Sequence, residues 1–500
     1  MDLVGLVLRT VIQFVVVLTD RCLGMLAVVG RSGLGRLDDV VECRVVVARL
    51  GHVRSIPTSG IDNTSRAVGV RRRVCHGGQV TDNRTDDTRR QAGWLPHEQE
   101  DLERWLRGHR ERAGAGPDRP LHRVVEAFGR ELSDDPTLRM GVTRMIDQVP
   151  PGRAYRTRHV DNVEELLQLI DAVLTVAPEY GDSTMVMLPL AAILDWTMAT
   201  PAGYAVYRDP RMNRFLHDVL GVWSDFLSGP DSLYVLNDSP SGWLSPAARR
   251  VIGIEQFRHD PDADHLGFTS WNDFFTRRLT DGARPVAAPD DDAVIVNACE
   301  STPYRIATDV RESSRFWLKD QPYSLHDLLA GDESVARLVG GTVYQAFLSA
   351  TDYHRWHSPV AGTVVRAFTV GGTYYSEADA EGSDADDAPD SQAYLAHVSA
   401  RAVVVIEADD PAIGLVAFVG VGMLEVSSCI LDGAVVSGNH LGKGDELGYF
   451  QFGGSTHCLV FEPGAVDFFA TAALPQPEQA HVVPVRSALA MARRGGATGE

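Results

Sequence analysis

Lysine is almost absent from this 500-residue chain: of 47 basic residues only Lys319 and Lys443 are lysines. Arginine fills every other basic position, which reads as GC-rich coding and not as function. An excess of positive charge is absent too. Sixty-seven acidic residues bring the formal charge to -20. That excludes nucleic acid as a partner, because phosphates need a basic face, and it offers no attraction to anionic lipid. Cysteine is sparse. The six, at 22, 43, 75, 299, 429 and 458, form no C-x-x-C pair, so neither a zinc site nor a disulfide framework is expected, no metal is assigned, and a reducing, cytoplasmic setting follows. Cys299 and Cys458 are expected to be small buried thiols. Long uncharged runs are also missing. Leu3 to Val29 is apolar but holds Arg9, Asp20 and Arg21, and its longest uncharged run, Thr10 to Thr19, falls short of the ~20 residues that span a bilayer. No small-residue cleavage site marks a signal peptide; an interfacial anchor with peripheral membrane contact remains open.

What is present is the composition of a globular protein: 44% hydrophobic and 8% aromatic residues, with a mean hydropathy of -0.10 and length enough for two or three domains. Residues 1–92 differ from the rest. They carry fourteen Arg against nine Asp or Glu, a balance of +5 that leaves -25 for residues 93–500, and they are expected to be a poorly ordered extension, from an over-long start site. From Gly93-Trp94-Leu95-Pro96 the chain becomes regular. Glu98 to Arg112, Leu121 to Leu132, Val163 to Val173 and Met212 to Leu227 repeat apolar residues at helical spacing. Asn162 and Ser270 stand where helix caps belong. Arg277 and Arg278 are expected to be solvated at a helix end. This region, 93–285, reads as a helical domain.

After Pro285 the pattern turns to strands, among them Val294 to Val296, Val403 to Ile406 and Ile413 to Val421. The fold class is therefore α+β, a helical N-terminal domain followed by a β-rich domain over 286–475, with 476–500 as a tail. Glu377 to Ser391 holds seven acidic residues with Ala, Gly, Ser and Pro, a solvated loop by composition, with a lid as its functional version.

Three stretches carry chemistry. Tyr449-Phe450-Gln451-Phe452-Gly453-Gly454-Ser455-Thr456-His457-Cys458-Leu459-Val460-Phe461 places a Gly-Gly-Ser-Thr knot between two apolar runs. It reads as strand, tight turn, strand, with Ser455 held on the bend; an ordinary hairpin is the plain reading. A serine-hydrolase elbow fits poorly, since His457 stands where that motif needs glycine. Asp352-Tyr353-His354-Arg355-Trp356-His357-Ser358-Pro359 packs two histidines and an arginine together, and Val294-Ile295-Val296-Asn297-Ala298-Cys299-Glu300-Ser301 ends a strand on a carboxylate. Serine, histidine and carboxylate are the parts of an activated nucleophile.

In this order the three stretches resemble the phosphatidylserine decarboxylase family, over about residues 93 to 470. The segment Ser270 to Arg284-Pro285 resembles the lead into that family's catalytic domain. Asn297-Ala298-Cys299-Glu300-Ser301 and His354-Arg355-Trp356-His357 look closest to the soluble L-tryptophan decarboxylases, because the phospholipid enzymes usually have an aspartate and glycine where Glu300-Ser301 stands. The resemblance implies self-cleavage between Gly454 and Ser455, giving chains 1–454 and 455–500 that stay associated, with a pyruvoyl group (covalent pyruvate) derived from Ser455 as the cofactor. It implies that Glu300 orients His357, that His357 takes the proton from Ser455, and that His354 donates a proton after the substrate amine has formed a Schiff base and lost carbon dioxide. Residues three apart face opposite sides of a strand, so both histidines reach one site only if the segment turns. The expected substrate is a free aromatic L-amino acid such as tryptophan; phosphatidylserine, in phospholipid biosynthesis, is the alternative. Pro359 to Val365 and Gly442 to Gly448 also resemble the hairpins of biotinyl or lipoyl carriers, a non-enzymatic alternative that needs an exposed lysine at a hairpin tip.

Overall fold

The computed structural model describes residues 45–49, 52–56, 99–113, 120–149, 160–181, 188–198, 200–314, 323–376, 388–425, 428–476 and 481–493. Most of the 1–92 extension, the Leu3 to Val29 stretch, Lys319 and residues 377–387 of the acidic segment lie outside them. The chain divides into two units, Met1–Thr81 and Asp82–Glu500. In the first, β1 (Val45–Arg49) and β2 (His52–Ile56) pair antiparallel with Val45 opposite Ile56.

The second unit opens with helices α1 (Gln99–Ala113), α2 (Arg123–Asp134), α3 (Pro136–Asp147), α4 (Val163–Val173), α5 (Pro189–Met198), α6 (Pro201–Val206) and α7 (Pro210–Leu227), of which α1, α2, α4 and α7 lie on the four expected stripes. Pro opens α3, α5, α6 and α7. There its fixed φ suits the first turn and its missing N–H is not needed. Asn162 Oδ1 accepts from Glu165 N at 2.8 Å and Ser270 Oγ from Asp273 N at 3.1 Å. Both expected caps are therefore made, the second on a short helix, Trp271–Phe275.

The strands that follow are β3 (Val294–Val296), β4 (Thr302–Ala307), β5 (Thr342–Leu348), β6 (Arg355–His357), β7 (Gly362–Val370), β8 (Arg401–Ala408), β9 (Leu415–Met423), β10 (Cys429–Leu431), β11 (His440–Leu441), β12 (Glu446–Phe450), β13 (Gly454–Phe461), β14 (Val466–Phe469) and β15 (Ala488–Ala492). Seven form one antiparallel sheet in the order β11-β7-β8-β9-β13-β5-β4, and two three-stranded sheets, β10-β12-β6 and β14-β15-β3, accompany it.

The large sheet is buried on both faces. Val403, Val405, Val419, Val421, Cys458 and Val460 join the core of the helices. Their neighbours Ala402, Val404, Phe418, Leu459 and Phe461 pack with Trp356 and Phe450 of the β6–β12 pair. This is why β8 and β9 read as unbroken apolar runs and not as alternation. β13, with β9 on one side and β5 on the other, occupies an interior position of the sheet.

Two expectations are corrected here. The turn before Ser455 is not a hairpin, because β12 and β13 belong to different sheets. The turn instead carries the chain from the small sheet into the large one. Arg277 is not solvated: it is 3% exposed, with its guanidinium 4.4 Å above the Phe257 ring and donating to the Thr351 and Asp352 carbonyls at 2.8 and 2.9 Å. The same helix-end pattern leaves Arg278 half exposed, on Glu446.

Candidate active site

β12 ends at Phe450, and Gln451-Phe452-Gly453 lead into β13. Gly453 has φ of 133°, a conformation that side-chain-bearing residues rarely adopt. The turn thus requires glycine just before the Gly454–Ser455 bond. Ser455 lies opposite Leu348 of β5 and Gly422 of β9. It is fully buried and its Oγ has no hydrogen-bond partner. A buried hydroxyl in that state is uncommon and calls for a chemical or structural reason.

Strand alternation puts His457 on the face of Ser455. Its ring lies 6.0 Å from Phe418 and 6.1 Å from Tyr344, with neither nitrogen partnered. Burial pulls its pKa down to about 3, so it is neutral at pH 7.

The two histidines of the second stretch are held in different surroundings. His357 lies in β6, and its backbone N–H donates to the Ala298 carbonyl at 2.8 Å, which brings it beside the Asn297 to Glu300 stretch. Its Nδ1 is 2.9 Å from the Gly444 carbonyl and its Nε2 is 2.9 Å from the Tyr353 hydroxyl. A carbonyl can only accept, so Nδ1 carries the proton, and the Tyr353 hydroxyl donates to a basic Nε2. His354 precedes the strand. Its ring stacks on Phe275 at 4.0 Å, and Phe275 in turn meets Phe452, 5.2 Å away, in the turn before Gly453. Both His354 nitrogens are unpartnered. Burial is the main cause that lowers both rings to about 3; Arg277 adds to it at His354 and Arg486 at His357. Each is therefore a neutral imidazole able to accept a proton.

Glu300 does not contact His357. Its carboxylate is held by Arg284, Oε1 to Nη2 at 2.6 Å and Oε2 to Nε at 3.0 Å, and Oε2 also accepts from Val485 N at 3.0 Å. The group that orients His357 is the Gly444 carbonyl, and a backbone atom leaves no residue-type signal in a sequence. The structure therefore gathers His357 and Glu300 at the end of β3, and His354 near the Gly453 turn. No hydrogen bond links any of them to Ser455.

Two further residues belong to this region. Tyr353 meets His357, a contact that no motif in the sequence marks. His457 shares the face of Ser455, a pairing that the two-residue period of a strand carries. Asp352 accepts from Ser349 N at 2.7 Å and closes the turn that carries His354. Cys299 and Cys458 are buried thiols, as expected, and burial raises both pKa values. Lys443 is no carrier lysine: its Nζ donates to the carbonyls of Ala288, Asp291 and Val294 at 2.7, 2.8 and 3.2 Å. Among the described residues, no cluster of three or more His, Cys, Asp or Glu is placed to hold a metal, and no helix is long and apolar enough to cross a membrane.

The structure thus shows a buried, unpartnered serine after a glycine-dependent turn, while the expected Glu300–His357 contact is replaced by Glu300–Arg284 and His357–Gly444. A family model described as phosphatidylserine decarboxylase matches residues 271–483, and a second of the same description matches residues 122–252. The chain belongs to the phosphatidylserine decarboxylase family and is a decarboxylase, a carboxy-lyase. Within the family it stands with the L-tryptophan decarboxylase-like branch. It is 45% identical over 298 residues to decarboxylase iboD of Amanita muscaria, covering 56% of this chain and 85% of that protein. It is 32% identical over 363 residues to an L-tryptophan decarboxylase of Psilocybe cubensis, covering 68% and 80%. With phosphatidylserine decarboxylase proenzyme 3 of Schizosaccharomyces pombe it shares 33% identity over 202 residues, 40% of this chain and 20% of that protein.

Proposed function

We propose that this decarboxylase cleaves itself between Gly454 and Ser455, carries the resulting pyruvoyl group at position 455, and acts on a free aromatic L-amino acid, tryptophan foremost. The observation that carries this reading is Ser455 itself, a buried hydroxyl without a partner following Gly453 at positive φ. These features fit a serine that becomes the prosthetic group.

In processing, Ser455 Oγ attacks the Gly454 carbonyl carbon and its proton passes to His357 Nε2, once the Tyr353 hydroxyl has released that nitrogen. The peptide C–N bond breaks, the proton returns to the new amine, and an ester remains. Loss of the Ser455 Cα proton then expels Gly454 as a carboxylate. Water and loss of ammonia complete the carbonyl at 455. Glu300, fixed by Arg284 and the Val485 N–H, buttresses the segment after β3 whose Ala298 carbonyl holds the His357 backbone.

The carbonyl at 455 supplies an electron sink for an amine-bearing substrate. His354 is the proton donor to the substrate carbon. It is neutral in the empty site, and the substrate carboxylate, an opposite charge beside it, favours its protonation. The short chain 455–500 stays bound, since β13 lies between β5 and β9 and β15 pairs with β3. We read 93–285 as the part that walls the site and 286–475 as the part that carries the chemistry, in a cytoplasmic protein.

Intact mass of the purified protein tests both halves of the reading. Two chains ending at 454 and starting at 455 are expected, and borohydride with substrate should trap an amine on the shorter one. Tryptophan, tyrosine, phenylalanine and phosphatidylserine vesicles are then offered in parallel. An uncut but active protein would overturn self-processing. Phosphatidylethanolamine formation, with no amine from any free amino acid, would reverse the substrate assignment.

A further inference from the structure

β9 runs antiparallel to β13 with Met423 opposite Gly454, and two residues on lies Glu425. It is 1% exposed. Its Oε1 accepts the Ala191 backbone N–H at 2.6 Å, in the first turn of α5, while its Oε2 has no partner. The Leu424 N–H donates to the Tyr374 carbonyl at 3.1 Å, which brings Tyr375 alongside. Tyr375 is fully buried, and its hydroxyl also has no partner. Two buried polar groups are thus left open side by side, where burying either unpaired is costly.

Their position relates them to the reacting bond. Met423, Leu424, Tyr375, Phe452, Phe275 and Trp223 belong to one core on the helical side of the sheet, the face to which Gly454 and not the Ser455 side chain alternates, and His354 stacks on Phe275 within it; cutting the Gly454–Ser455 bond makes residue 455 a chain end that can turn to this face. Opposed Cα atoms in an antiparallel pair lie about 5 Å apart and two further residues add at most about 7 Å. Glu425 is therefore within about 12 Å of Gly454, a span that a tryptophan-sized molecule and the Glu425 side chain cover between them. This core is rich in aromatic rings, and Glu425 and Tyr375 add a carboxyl oxygen and a phenol without partners.

We propose that Glu425 and Tyr375 form the specificity-determining pair of the substrate pocket, selecting an aromatic ring that bears a hydrogen-bond donor, such as an indole N–H. This rests on the reading of the protein as an aromatic amino-acid decarboxylase. Indole N–H is a donor only and matches a carboxyl oxygen. A plain phenyl ring would leave both groups unpaired, and sites built to hydrogen-bond a substrate discriminate strongly against analogues that lack the donor.

The test uses the mature wild-type protein, Glu425→Leu, Glu425→Gln and Tyr375→Phe, each checked for self-cleavage by intact mass. Two quantities are read: the tryptophan-to-phenylalanine ratio of kcat/KM, and the ratio of Kd values for tryptamine and phenethylamine by calorimetry. In Glu425→Leu both preferences for the indole should fall by about 10²-fold. Glu425→Gln, which keeps a carbonyl oxygen, should restore part of the preference, and Tyr375→Phe should lose a smaller part. Ratios that stay within about twofold of wild type in all three cleaved variants would overturn the proposal. Should Glu425→Leu fail to fold, the two near-isosteric variants decide alone. If no free amino acid is turned over, yet tryptamine binds with the stated dependence on Glu425, the pair stands and the substrate reading falls.

Discussion

The two faces of β13 differ in how their polar groups are satisfied. On the helical side Thr456 Oγ1 donates to the Ala346 carbonyl at 2.9 Å and accepts from Gln345 Nε2 at 3.1 Å. Gln345 also donates to the Gln392 carbonyl at 3.0 Å and accepts from the Tyr323 hydroxyl at 2.5 Å. One residue along, on the opposite face, Ser455 Oγ, both His457 nitrogens, Tyr344 Oη and Trp356 Nε1 are all buried without partners. The same strand thus carries a closed network that fixes structure and an open set that holds reactive potential. Satisfied polar groups stabilise and specify a fold, while unsatisfied ones cost stability and need another reason to persist.

The strongest way to break this contrast is at the two hydroxyls. Ser455→Ala should stay a single full-length chain by intact mass and form no amine, whereas Thr456→Val should still be cut. A cleaved Ser455→Ala would remove the basis of the proposed chemistry. Next come the histidines. His357→Ala should slow self-cleavage by about 10²–10⁴-fold, the range of general-base assistance, followed by gel densitometry over time. His354→Ala should cleave but decarboxylate poorly, and the reverse pattern would exchange their roles.

Stability gives a smaller effect of opposite sense. Thr456→Val strands buried donors and acceptors and should cost about 1–3 kcal/mol in denaturant titrations. Ser455→Ala, which removes a hydroxyl with no partner, should shift stability by less than about 0.5 kcal/mol in the unprocessed chain. Equal losses would erase the distinction between the faces.

The smallest effect is one of pH. The His457 pKa in the folded chain is about 3, below its ordinary 6.5. The unfolded chain therefore takes up the proton first, and this residue's contribution is full above 6.5 and declines as pH falls toward 3. His457→Leu removes that decline. Relative to wild type, its thermal midpoint should rise as pH is lowered from 7 to 5, and a constant difference would show that His457 is not buried neutral.

Local patterns were legible where local physics decides. Helical stripes, the caps at Asn162 and Ser270, and the glycine turn before Ser455 depend on residues within a few positions of one another, and each is found where the sequence puts it. Arg277 was misread because the sequence next to it is that of an ordinary helix end. Its burial comes from the Thr351–Asp352 turn and the Phe257 ring, which lie far along the chain. The hairpin reading failed for the same reason, since which strands pair is settled by the sheets and not by the turn.

By itself the sequence determined the α+β order of elements, the glycine turn and the kinds of side chain near it, because composition, periodicity and motif order are properties of the chain; that Ser455 lies past the bend, paired within β13, came from the sheet. Only the tertiary structure decided which groups meet. It gave Glu300 to Arg284, His357 to Gly444 and Tyr353, and it left Ser455 and Glu425 each with a polar atom unpaired. Hydrogen bonding and desolvation act over a few ångströms in space, and in this protein the partners lie from four to more than two hundred residues apart along the chain.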